Sequence, residues 1–237
     1  MIQSLRPDNP VTENLMTTLL KIQSSLYGQE GASSRLADRF VARWQDQNPE
    51  GRVLVRDLAA HPLPHLDQAR FQAFRTPAEE RTAAQQELVV TSDALVAEIA
   101  AADEVVLAAP MYNFSVPSTL HTYFDHIARA GMTFRYTEQG PEGLLTGKRA
   151  WVFVTRGGLY GEAHAQDLYL RQFLGFVGIT DVNIIHAEGL AMGDAVREQA
   201  LERAEATLRR LLPDPVQAKR ERNMKYTAPS RQIPAQR

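Results

Sequence analysis

"DEVVLAAPMYNFSVPSTLHTYFDHIARAG", Asp103 to Gly131, contains an unbroken apolar run, Val105 to Ala109, that Pro110 stops. A short run of this kind, followed by a helical pattern from Pro117 to Ala130 and a closing Gly131, reads as a strand buried on both faces and feeding a helix. Between the two lie Met111, Tyr112, Asn113 and Phe114, large half-polar residues where a turn ordinarily carries small ones.

The same alternation extends in both directions. Upstream, Leu15 to Gln23 is a first strand. Ser33 and Ser34 cap a helix that aligns Leu36, Phe40, Val41 and Trp44 on one face. Arg52 to Ala59 is a strand nearer an edge, and the prolines of "HPLPHLD" exclude regular structure there. Thr76 and Pro77, followed by Glu79 and Glu80, mark the start of a helix running to about Ala101. Downstream, a long connection leads to a fourth strand, Arg149 to Thr155, and a helix from Gln166 to Val177. "DVNIIHAEG" is a fifth strand, and Asp194 to Leu212 a last amphipathic helix ended by Pro213. Five strand–helix units predict a three-layer α/β fold with a doubly wound, parallel, five-stranded sheet. The expected organisation is an amino-terminal extension over residues 1–14, one domain over 15–212, and a basic, irregular tail over 213–237.

Composition narrows the function. The chain has no cysteine, which removes disulfides, thiolate metal sites and cysteine nucleophiles. A formal net charge of −2 gives no basic footprint for nucleic acid. No apolar run approaches the roughly 20 residues that span a bilayer, and the start lacks a signal-peptide pattern. A cytoplasmic protein with no membrane partner is expected. His61 and His65 lie in a proline-broken segment and His121 and His126 on a helix, without carboxylates at ligand spacing, so no metal site is expected. No G-x-S-x-G elbow is present. "GLLTGKR", Gly143 to Arg149, lacks the glycine spacing and the Ser/Thr of a nucleotide-triphosphate loop and reads as a turn.

In an open α/β sheet ligands bind beyond the carboxyl ends of the strands. Three loops there carry candidate chemistry. "QSSLYGQEGASS", Gln23 to Ser34, offers backbone amides, a helix amino terminus and the hydroxyls of Ser24, Ser25 and Ser33 to a phosphate, or is a turn with a serine cap. Met111 to Phe114 supply a flat apolar wall with in-plane hydrogen bonds, or pack in a core or an interface. "TRGG", Thr155 to Gly158, lets backbone approach a ligand closely, or is a flexible turn. Together they outline a site for a mononucleotide with a flat heterocycle, and FMN fits best.

"AAPMYNFSVPSTLHTYFDHIARAGMTFRYTEQGPEGLLTGKRAWVFVTRGG", followed by "FLGFVGITD" and "HAEG", resembles the FMN-dependent NADH:azoreductases, also called FMN-dependent NADH:quinone oxidoreductases, of bacteria. The resemblance covers about Leu15 to Leu212. It implies a flavodoxin-like sheet of order 2-1-3-4-5, non-covalent FMN and a homodimer. It further implies ping-pong transfer of two electrons from NADH or NADPH to quinones or azo compounds, with no catalytic side chain because the flavin carries the chemistry. By matching positions, Ser24, Gly31, Ala32 and Ser33 hold the FMN phosphate. Pro110, Met111, Tyr112, Asn113 and Phe114 line the flavin, and Thr155, Arg156, Gly157 and Gly158 border its polar edge. Phe114, with Tyr136 and Phe173 or Phe176 of a partner subunit, walls the substrate slot. Relatives often carry a serine and a polar residue where this chain has Gly31 and Ala32, so fewer side-chain donors reach the phosphate. Arg156, Arg75 and Arg81 are candidates to meet a nicotinamide phosphate. The rival readings are a flavodoxin-like electron carrier, for which −2 overall is a weak acidic signal, and a flavin-free interaction domain on the same fold.

Overall fold

The structure, a computed structural model, describes residues 17–213. The expected amino-terminal extension and the basic tail lie outside them, apart from Pro213. Strands β1 (Thr18–Gln23), β2 (Arg52–Asp57), β3 (Glu104–Pro110), β6 (Arg149–Thr155) and β7 (Asp181–Ala187) form one sheet in the order β2-β1-β3-β6-β7, every neighbouring pair parallel. Taken by position in the sheet, this is the expected 2-1-3-4-5. Successive residues of the central strands face opposite layers. Leu20, Ile22, Val105, Leu107, Val152 and Val154 join one core, and Leu19, Val106, Ala108, Trp151 and Phe153 join the other. That two-sided burial explains the continuous apolar runs. Helices α1 (Ala32–Gln47) and α6 (Asp194–Leu211) cover the second core, and α3 (Ala83–Ala101), α4 (Ser118–Ile127) and α5 (Ala165–Phe176) the first.

Three expectations are corrected. The helix expected from Thr76 begins at Ala83. Thr76 turns its hydroxyl back to the Gln72 carbonyl, 2.9 Å, and residues 78–80 make a single 3-10 turn. The true cap is Thr82, whose hydroxyl accepts from the Gln85 amide while the Gln85 side chain accepts from the Thr82 amide. Ahead of it stands an unanticipated helix, α2 (Gln68–Arg75), which Asp67 caps by accepting from the Arg70 amide at 2.8 Å. Finally, the connection after α4 folds into a hairpin of β4 (Phe134–Thr137) and β5 (Gly140–Gly143).

The hairpin is tied to α5. A Cβ on Gly143 would lie 2.1 Å from the Gly178 amide nitrogen, so only glycine lets these backbones meet. Lys148, in the segment read as a turn, donates to the Ala100 carbonyl at 2.7 Å and also to that of Ala102, closing the carboxyl end of α3. Among the described residues no helix is long and apolar enough to cross a membrane.

Candidate functional site

A cavity of about 520 Å³ opens at the carboxyl edge of the sheet. Its walls come from the loop after β1 (Ser25, Tyr27, Glu30, Gly31, Ala32), the end of β3 (Pro110, Met111, Tyr112), the end of β6 (Thr155, Arg156, Gly157), and Leu190, Ala191 and Arg197 beyond β7. The three loops singled out in the sequence therefore do meet.

The first loop leads into α1 at Gly31, which offers no side-chain cap. Among the described residues, the backbone N–H groups of Ala32, Ser33 and Ser34 have no acceptor, as the first turn of a helix dictates. The hydroxyls of Ser33 and Ser34 are buried without a partner as well. Gly31 is required here, since a Cβ would lie 2.1 Å from Ser25 Oγ. The Ser25 hydroxyl in turn accepts from the Tyr27 amide, 3.2 Å. Ser24 behaves otherwise than the sequence suggested: its hydroxyl donates to the Ala108 carbonyl at 2.8 Å and ties β1 to β3. Ser25 faces the cavity in its place.

The loop after β3 is a tight reversal. Tyr112 and Ser115 exchange backbone hydrogen bonds of 3.0 and 3.1 Å around Asn113 and Phe114, whose φ angles are 49° and 64°. Two adjacent positive φ values define a primed turn, which ordinarily selects Asn-Gly. A phenylalanine there costs about 1–3 kcal/mol of backbone strain, the kind concentrated at functional sites. The turn presents Phe114, 65% exposed, edge-on to Tyr160 at 6.2 Å. Tyr112 reaches back across the cavity, and its hydroxyl accepts from the Leu26 amide at 3.2 Å. Asn113, Phe114 and Gly158 border the site without lining the cavity itself.

The third loop rests on a buried ionic cluster. Arg156, 1% exposed, donates to Gln166 Oε1 (3.2 Å), the Gly161 carbonyl (2.9 Å), Glu188 Oε1 (2.8 Å) and Asp167 Oδ1 (2.5 Å). Gln166 donates onward to the Ala109 carbonyl at 3.1 Å, and His186 Nε2 lies 2.9 Å from Asp167 Oδ2. Burial pushes the Glu188 carboxyl up, but hydrogen bonds from Arg156, Gly161 and Tyr160 outweigh it and hold the group below the usual range. The Arg156 guanidinium is thus consumed internally, which corrects its place among the phosphate readers; only its backbone edges the cavity. The carbonyls of Arg156, Gly157 and Gly158 accept from Leu190, Ala191 and Gly189, while the amides of Gly157 and Gly158 have no acceptor among the described residues. Arg81 is held at the Thr76 carbonyl, 3.0 Å, and Arg75 lies over Phe71, both away from this cavity.

Tyr136 and Phe176 do not reach it either. They line a second cavity of about 540 Å³ together with Phe71, Phe74 and Phe134. Phe173 stacks on Phe124 with ring centroids 4.1 Å apart. Leu190, Ala191 and Arg197 were missed in the sequence, although the segment after the fifth strand obeys the same rule as the other strand ends.

A doubly wound sheet of this order, with its cavity beyond the strand ends at the β1/β3 switch point, defines a flavodoxin-like protein. The sequence profile described as "Flavodoxin-like fold" matches residues 17–212. An FMN-dependent NADH:quinone oxidoreductase of Cellvibrio japonicus is 56% identical over 191 residues, 80% of this chain and 95% of that protein. The crystal structure of azoreductase from Bacillus anthracis str. Sterne is similar with a TM-score of 0.77 at 26% identity, covering 83% of this chain and 99% of that one. An FMN-dependent NADH-azoreductase from Bacillus anthracis str. Ames Ancestor, in complex with FMN, gives 0.73 at 26% identity over 83% and 100%. The chain belongs to the flavodoxin-like family and, within it, to the FMN-dependent NADH:quinone oxidoreductases.

Proposed function

We propose that this chain is an FMN-dependent NAD(P)H oxidoreductase that reduces quinones and azo compounds, and that the cavity at the sheet edge is its FMN site. One observation carries the reading: two groups of unpartnered backbone amides meet at that cavity, one running from Ala32, which lines it, to Ser34 at the start of α1, the other from Gly157, which lines it, to Gly158 after β6. The first group suits a phosphate and the second the polar edge of a flat ring. The buried, unpartnered hydroxyl of Ser33 fits the same phosphate. Pro110, Met111 and Tyr112 supply a wall of the same cavity, with Asn113 and Phe114 at its rim and Thr155 beside the glycines.

The chemistry FMN supplies when bound is two-electron exchange, first with a reduced nicotinamide and then with a quinone or azo acceptor. The protein's part is placement. Ser24 and Gln166, by bonding the Ala108 and Ala109 carbonyls, hold the end of β3 against its neighbours, and the Arg156 cluster fixes the loop after β6. Exposed Phe114, Leu159 and Tyr160 provide flat apolar surface beside the site, which suits acceptors recognised by shape more than by polar contacts.

In this reading residues 15–212 act as one catalytic domain of a cytoplasmic homodimer. The exposed Tyr136 ring, on a hairpin outside the cavity, supports a second copy using Tyr136, Phe173 and Phe176 to close the acceptor slot. An absorbance spectrum of the purified protein tests the whole. A flavin spectrum that NADH bleaches and benzoquinone restores, with no added reductase, is expected. An electron carrier retains its colour in NADH until a reductase is added, and a flavin-free domain is colourless and takes up no FMN.

A further inference from the structure

A phosphate monoester brings about −1.5 to −2 charge, and the loop after β1 meets it with few side chains. Gly31 has no room for one, Ala32 has no donor, and the Ser24 hydroxyl is spent on Ala108. Three charged residues line the cavity: Glu30, Arg156 and Arg197. Glu30 is an anion, paired outward with Arg35. Arg156 is buried between Asp167 and Glu188, its charge more than balanced. Arg197, in the first turn of α6, has no carboxylate within ion-pair distance among the described residues, although Asp194 and Glu198 are close in sequence. It lines the cavity together with Gly31 and Ala32 at the amino end of α1.

Resting on the FMN reading, we infer that Arg197 supplies the counter-charge for the flavin phosphate in this chain, a role taken by α6 because the phosphate loop offers neutral donors but no cation of its own. The guanidinium is exposed, so its attraction is screened by salt and long-ranged enough to act across the open rim at low ionic strength. A lysine at 197 retains the charge, and glutamine removes it at little cost to helix propensity.

The flavin-stripped full chain titrated with FMN and with riboflavin, followed by quenching of flavin fluorescence, tests this. Riboflavin has the same ring and no phosphate. Arg197→Gln is expected to weaken FMN about five- to tenfold at low salt, Arg197→Glu more, and Arg197→Lys to recover most of the affinity. Riboflavin affinity stays constant across the series, and the FMN difference shrinks as potassium chloride is raised. An Arg197→Gln protein that binds FMN within about twofold of the parent, or that loses riboflavin equally, overturns the inference and leaves the FMN reading intact. A parent protein that binds neither flavin overturns the reading itself, and the inference with it.

Discussion

Gln166 Nε2 donates to the Ala109 carbonyl at 3.1 Å, and through it the amino end of α5 clamps the end of β3. The same glutamine accepts from Arg156, so two of the segments around the cavity are locked to one side chain. Residues that never enter the cavity thus decide its shape.

Removing the centre of that cluster is expected to be costly. Arg156→Met leaves the Asp167 and Glu188 carboxylates without their cation in a water-poor environment, a loss of about 3–5 kcal/mol. The midpoint of urea unfolding reads this directly. An unchanged midpoint would mean that the cluster contributes nothing to stability.

The turn after β3 makes an opposite pair of predictions. Phe114→Val places a β-branched residue at φ 64° and is expected to lower stability by about 1–2 kcal/mol. Phe114→Gly removes the strain and is expected to cost nothing measurable, despite losing the edge contact to Tyr160. Thermal unfolding of the two proteins side by side distinguishes backbone strain from side-chain packing.

Gly31 and Ser25 form a coupled pair. In Gly31→Ala the new methyl meets Ser25 Oγ at 2.1 Å and Ser25 Cβ at 2.6 Å, an overpacking cost of about 1–3 kcal/mol. Ser25→Ala relieves only the first contact, whereas Ser25→Gly relieves both. Of the two double mutants, the one with Ser25→Gly should therefore recover more of the lost stability relative to its own single mutant.

Stability should fall below pH 6.5 or so because of His126. Burial is the main cause that lowers its pKa, set against the hydrogen bond its Nε2–H donates to the Pro64 carbonyl at 2.8 Å. Nδ1 is buried without a partner, so a second proton has no acceptor there. The unfolded chain takes up this proton near pH 6.5 and the folded chain only further down. Stability is therefore complete above that value and is lost as pH falls toward the folded pKa, with a slope of at most about 1.4 kcal/mol per pH unit. Asp125, raised by burial, acts with the opposite sign and in the carboxylate range. Unfolding free energies measured from pH 7 downward should lose the upper slope in His126→Asn.

Flavin retention tests the wall itself. Tyr112→Ala combined with Asn113→Ala removes the phenol that accepts from the Leu26 amide and one residue of the primed turn. The double mutant is expected to emerge colourless from desalting. A yellow, active protein would make the turn merely structural.

Much of this molecule is readable from local pattern. The strand ends at Pro110 and Thr155, the helix start at Asp194 and the loops that meet at the cavity follow from runs, breaks and strand–helix alternation, each a property of a few neighbouring residues. Helix α2 was legible in principle, since Asp67 three residues before Arg70 is a cap, but the prolines before it masked the signal. The helix start at Thr76 misled because two threonines compete as caps, and a contact to Gln72 settles which one wins.

Sequence alone determined a doubly wound parallel sheet and the strand ends that form its rim, because apolar runs must be buried and parallel crossovers turn one way, while the order of the strands came from the resemblance to a known family. Only the tertiary structure decided what each rim residue does. Ser24 faces Ala108, Ser25 faces the cavity, Arg156 is buried and Arg197 stands free among the described residues. Two of those assignments depend on partners far along the chain, Glu188 for Arg156 at 32 positions and Ala108 for Ser24 at 84. Hydrogen bonding and charge are settled by distance in space, which no local pattern encodes.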